Sequence, residues 1–190
     1  MAENRKLAPT TLLILLAVAS FAAATVTVTN ITRWTVVARY APIVKYAGDD
    51  AETGWVTVRY DDTGNVNRTL ITLVGFKGDP TKYDSVLKIC LNTTVAGNKA
   101  FNVYLAWNGT VSGDWSNVDY VKLWIDDQGP MFITSSGASP SEIGPVTLQN
   151  GEKNCAVVSA EVLVKPNAPS DDISLVTFEV NVKAEHTPSP

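Results

Sequence analysis

The chain is poor in the residues that carry out chemistry. It holds one histidine in 190 residues, His186, near the C-terminal end. A Ser-His-Asp or Cys-His arrangement therefore has no histidine to draw on in the body of the chain. Only two cysteines occur, Cys90 and Cys155, too few to complete a zinc shell by themselves. Basic residues are outnumbered, 15 Lys and Arg against 19 Asp and Glu, and they do not cluster. Phosphate binding needs a basic patch, so nucleic acid is not an expected partner. There is no phosphate-binding glycine loop and no nucleophile elbow. No cofactor and no metal are expected, and an enzyme is the least favoured class.

Long apolar runs are equally scarce. One stands at residues 12–19, preceded by Arg5 and Lys6 and followed by Ala22, Ala23 and Ala24. A basic start, a short apolar stretch and a small-residue site read as a secretory signal peptide over residues 1–24, cut after Ala24. The run is shorter than the roughly 20 residues of a comfortable membrane span. The expected product is secreted and extracellular, with no membrane attachment after cleavage. A rival reading cuts the chain just after Arg5 and Lys6 and keeps the apolar stretch as an assembly helix, as in type IV-like pilins. Outside the cytosol the Cys90 and Cys155 pair is expected to form a disulfide, which the chain-entropy model values at ~4 kcal/mol for so long a loop. Two separately buried thiols are the alternative.

Helical periodicity is missing too: beyond residue 24 no segment keeps a 3.6-residue apolar period over three turns. Alternation of period two takes its place. Val, Thr and Ile make up 49 of the 166 residues from Thr25 onward, and these β-branched types fit a pleated sheet. Near the end Val176, Phe178, Val180, Val182 and Ala184 face one way, while Leu175, Thr177, Glu179, Asn181 and Lys183 face the other. Val158, Ala160, Val162 and Val164 repeat the pattern. Further strands are expected at 34–40, 55–60, 68–76, 85–91, 100–107 and 120–125. Turn residues separate them, at 61–65, 78–80, 107–109, 126–130 and 165–172. About nine short strands point to an all-β single two-sheet sandwich of jelly-roll or Greek-key type. The domain plan is a leader at 1–24, an N-terminal strand at 25–33, the sandwich at 34–185 and a polar tail at 186–190.

Four features invite a functional reading. The carboxylate pairs Asp49-Asp50, Asp61-Asp62, Asp126-Asp127 and Asp171-Asp172 lie beside Gly, Pro, Asn or Ser, where Asp side chains bond nearby backbone N–H groups; turn chemistry outweighs a hydrolase pair or calcium. Tryptophans 34, 55, 107, 115 and 124 are expected to pack, though Trp107 and Trp115 would also suit a sugar-binding face. Asn30, Asn67, Asn92 and Asn108 head glycosylation sequons, which implies surface positions on a secreted protein. Lastly, Thr25-Val26-Thr27-Val28-Thr29-Asn30-Ile31-Thr32 is an uncharged strand pattern at a free terminus. Such a strand either pairs within its own sandwich or adds to the sheet of the next subunit. The second contact is head-to-tail, does not close on itself and builds a fibre.

The layout resembles the secreted sandwich subunits of archaeal bundling pili, which are similar to the TasA/camelysin family of biofilm-matrix filament proteins. The resemblance rests on the leader ending in alanines, the Thr/Val strand at 25–29, the jelly-roll-like body and the closing stretch. That stretch runs from Ile143-Gly144-Pro145 through Leu148-Gln149-Asn150-Gly151-Glu152 to Phe178-Glu179-Val180-Asn181-Val182-Lys183-Ala184. It implies polymerisation by donor-strand complementation, with Thr25, Val26, Thr27, Val28, Thr29 and Ile31 as the donor. The partners implied are copies of the same chain, with neighbouring filaments or cells beyond them. A secreted module for glycan or cell-surface attachment is the second reading, and a pilin that keeps its leader is the third.

Overall fold

The computed structural model describes residues 40–61, 68–169 and 174–187. The leader, the 25–33 strand, nearly all of the strand expected at 34–40, Trp34, the sequons of Asn30 and Asn67, and Asp62, Asp171 and Asp172 lie outside them. Tyr40, the one described residue of 34–40, is not in a strand.

The described chain is mostly strand and belongs to one compact unit. In order, the strands are β1 (Ile43–Ala47), β2 (Val56–Asp61), β3 (Arg68–Leu73), β4 (Thr81–Leu91), β5 (Ala100–Gly113) and β6 (Val118–Ile125). They continue with β7 (Gln128–Thr134), β8 (Gly137–Ser139), β9 (Glu142–Leu148), β10 (Cys155–Val164) and β11 (Val176–Thr187). The one α-helix among the described residues is a single turn, α1 (Thr93–Ala96). Pairing makes a six-stranded sheet β1-β4-β10-β6-β7-β8, a three-stranded sheet β11-β5-β9 and a two-stranded hairpin β2-β3. All named strand pairs are antiparallel, and the sheets pack together as a sandwich.

Alternation decides which side of each strand is covered. In β10 every second residue, Ala156, Val158, Ala160, Val162 and Val164, is buried. Leu87, Ile89, Val121, Leu123, Ile125, Met131 and Ile133 extend that layer across β4, β6 and β7. Phe101, Val103 and Leu105 of β5 and Ile143, Val146 and Leu148 of β9 close over it. Among the described residues the buried side chains are apolar or aromatic; the one hydroxyl among them, on Tyr83, donates to the Val74 carbonyl, as a buried polar group must.

Several boundaries differ from the sequence reading, each for a local reason. The turn expected at 107–109 is a bulge inside a continuous β5. Phe178 pairs with Val111 and Val180 with Trp107, so Glu179 alone faces Asn108, Gly109 and Thr110. Gly109 takes a φ of 90° there, and the Thr110 N–H donates to the Asn108 side-chain oxygen at 2.9 Å. Extra residues on one strand bend the ladder without ending it. The turn at 126–130 is only Asp126-Asp127, and Gly129 and Pro130 already belong to β7. β3 stops at Leu73 instead of residue 76, and β11 runs through His186 to Thr187, two residues into the stretch expected as a polar tail.

Candidate functional site

Each sheet has two edges, and an exposed edge is a template for another strand. Three of the four edges of the two larger sheets are blunted. β8 is three residues long and runs into Pro140. β9 carries Pro145 in its middle and lies beside β7 at the corner of the sandwich. β1 has five residues and follows Pro42.

β11 differs from all three. It is twelve residues long, contains no proline, and pairs with β5 along nearly its whole length. Among the described residues no strand pairs with its other side. Its core-facing side chains are incompletely covered. Phe101, Val103 and Leu105 on β5 are 8%, 0% and 3% exposed. One strand further out, Val176, Phe178, Val180 and Val182 touch the core but are only half-buried, and Ala184 and His186 are exposed. The cover over the core therefore fades at β11.

The hairpin shows the same deficit. Val56 is buried, and Val58 and Leu73 are half-buried against the core. Further along that face Tyr60 and Ile71 are 50% and 38% exposed. Thr69 on β3 and Thr187 on β11 each enclose a hydroxyl that has no hydrogen-bond partner among the described residues. The first residue of β3 lies close to β11: the Arg68 guanidinium is 3.8 Å from the Glu179 carboxylate. The other oxygen of Glu179 accepts from the Asn108 amide at 2.7 Å. Both charged side chains are about half exposed, so the pair acts as a positional tie more than as a source of stability.

The remaining candidates fall elsewhere. Cys90 and Cys155 form the expected disulfide between β4 and β10. The Asp pairs were expected to bond the backbone of their own turns; among the described residues the side chains of Asp49, Asp50 and Asp126 reach sequence-distant residues instead. Asp50 accepts from the Ser85 N–H at 2.7 Å and Asp49 pairs with Lys88. Asp126 accepts from the Val157 N–H at 3.0 Å and pairs with Lys153. Trp107 and Trp115 pack half-buried against the core, whereas Trp55 is half exposed and stacks edge-on with Phe76. Asn92 caps α1 without a side-chain bond and is half-buried, and Asn108 is exposed on β5. His186 lies in β11 instead of a polar tail; it is exposed there, and its ring meets Phe101 edge-on. No helix among the described residues is long and apolar enough to cross a membrane.

Period-two alternation sets Glu179 on the face opposite Phe178 and Val180 and gives no sign that it contacts both Asn108 of β5 and Arg68 of β3. The interrupted register at Asn108-Gly109 was the available signal, and it looks like a turn. The chain matches no protein-family model. No curated protein matches it either.

Proposed function

We propose that this protein is a non-catalytic structural subunit of an extracellular filament that polymerises by β-strand addition, and that β11 is the receiving edge. The observation that carries the reading is a twelve-residue, proline-free edge whose apolar face is half covered. The strand count agrees: a six-stranded sheet is opposed by three strands and two. One strand laid between β11 and β3 makes six against six. It would cover Val180, Val182 and Ile71 and supply main-chain partners along both open edges. The Arg68–Glu179 contact fits that spacing. Two strands flanking a third are about 9.6 Å apart, within the combined reach of an arginine and a glutamate.

The donor we assign is the 25–33 segment of a neighbouring copy. Its valines, Val26 and Val28, have the alternation and size that the half-covered face accepts, and its backbone has no charge beside it before Arg33. The disulfide suits an oxidising, extracellular setting, to which the leader at 1–24 would direct the chain. Neighbouring filaments or cells are the further partners this function implies.

Negative-stain electron microscopy of the native protein, beside a chain lacking residues 25–32, tests the reading. Long uniform fibres from the first and discrete folded particles from the second are expected. Normal fibres from the truncated chain would overturn the donor assignment. Monomers from the native protein across concentration and pH would overturn the filament itself.

A further inference from the structure

A strand reading Thr-Val-Thr-Val-Thr carries little register information. A slip of one residue turns its valines outward, but a slip of two leaves every side chain on its proper face and gives up at most one valine contact. A filament with one repeat distance needs a mark on the receiving side. The β11 edge carries one such mark, at Glu179.

We propose that the clasp of Glu179, Asn108 and Arg68 is the stop that fixes the register of the incoming strand. The proposal rests on β11 being the receiving edge. At Glu179 the β5–β11 ladder breaks, because three residues of β5 oppose one of β11. The Glu179 carboxylate is engaged from both sides, by the Asn108 amide at 2.7 Å and by Arg68 of β3 at 3.8 Å. Arg68 thus ties the two walls of the slot together where the regular edge ends. Beyond this point the edge is uninterrupted from Val180 to Thr187, eight residues. The uncharged stretch from Thr25 to Thr32 is also eight residues. A strand that fills the segment between clasp and strand end has one position; without the clasp it gains a second, two residues along, over Glu179 and Phe178.

Disulfide trapping in fibres of the full secreted chain tests this. Thr27→Cys is combined in turn with Asn181→Cys, Lys183→Cys and Glu185→Cys, all on the outward face of β11. With the clasp intact, one of the three acceptor positions should cross-link between subunits. Glu179→Gln, which keeps the shape and removes the charge, and Arg68→Ala, at an exposed side chain, should each add a second cross-link displaced by two residues. A single unchanged position in both variants, or two positions already present with the clasp intact, would overturn the register stop while leaving strand addition standing. Fibres that cross-link at none of the three positions would overturn β11 as the receiving edge, and the register stop with it.

Discussion

Cys90 on β4 and Cys155 on β10 stand directly opposite each other in the antiparallel ladder and are joined by a disulfide. The two strands are neighbours inside the six-stranded sheet, yet their cysteines are 65 residues apart in sequence. The bond thus staples a non-local pairing, and closing a loop of that length should stabilise the fold by about 4 kcal/mol through the unfolded chain. Replacing both cysteines by alanine is expected to lower the unfolding free energy by about that amount in denaturant titrations. A loss under about 1 kcal/mol would mean that strain or residual structure cancels the entropic gain.

On the outer face of the same sheet, Glu161 accepts from Lys122 Nζ and from the Tyr120 hydroxyl, each at 2.8 Å. The Lys122 bond, with the Tyr120 bond after it, holds the Glu161 carboxyl below the ordinary glutamate range. The same Glu161 bond raises the Lys122 ammonium. A depressed carboxylate stabilises the fold above its unfolded value, and that stabilisation is lost as pH falls through the lower folded value. A raised lysine stabilises below its unfolded value and loses this as pH rises through the higher folded one. The pair therefore contributes fully between about pH 5 and 10 and fades on the acid side below about pH 4. Glu161→Gln should cost about 1–2 kcal/mol at pH 7 and less at pH 3, so the stability profiles of variant and parent should converge in acid. Parallel profiles would show that the carboxylate has no linked role.

Gly48 is confined by space alone. Its φ of −77° and ψ of 174° are open to any residue, but a Cβ there would lie 2.0 Å from the Ser85 carbonyl oxygen. The crowding comes from the bulge in β4, whose Val86 carbonyl accepts from the Gly48 N–H at 3.0 Å. Since the obstacle is backbone, it cannot swing aside as a side chain would. Gly48→Ala should destabilise by about 3 kcal/mol, at the upper end of overpacking costs. Gly54→Ala, where a Cβ meets nothing within 4 Å, isolates the conformational penalty of a φ of 82° and should cost about 1 kcal/mol. Equal losses at the two sites would refute the steric argument.

How far these features were legible depended on how local they are. Strands β10 and β11 were readable because strict alternation, from Val158 to Val164 and from Val176 to Ala184, is written in neighbouring residues. β5 was cut short because Asn108-Gly109 is a turn dipeptide, and only its pairing with β11 makes it a bulge. β7 and β9 were hidden by Gly129-Pro130 and Gly144-Pro145, glycine-proline pairs that mark turns in isolation and here lie within strands. β1 is five residues, too short to show a period, and is held by pairing to β4. The receiving edge was least legible of all. That β11 lies at an edge follows from the order β11-β5-β9, a property of the whole sheet that no single strand encodes.

The half-covered face of β11 offers a substitution that separates folding from assembly. Val182 faces the core, sits opposite Leu105 and is half-buried in the single subunit. Lysine at that position can run its stem along the apolar surface and hold its charge in water while the edge is open, so the isolated subunit should lose no more than about 1–2 kcal/mol. Once a strand lies across the edge the same charge has no route to solvent, and burying it unpaired is prohibitive. Val182→Lys should therefore yield a folded, disulfide-bonded subunit that pellets no fibres on ultracentrifugation. Asn181→Lys adds the same charge one residue away on the exposed outer face and should leave fibre yield unchanged. If both variants polymerise equally well, the apolar face of β11 is not covered in the filament; if neither does, charge near the edge blocks assembly regardless of face. Only a split between them ties polymerisation to the inward face of β11.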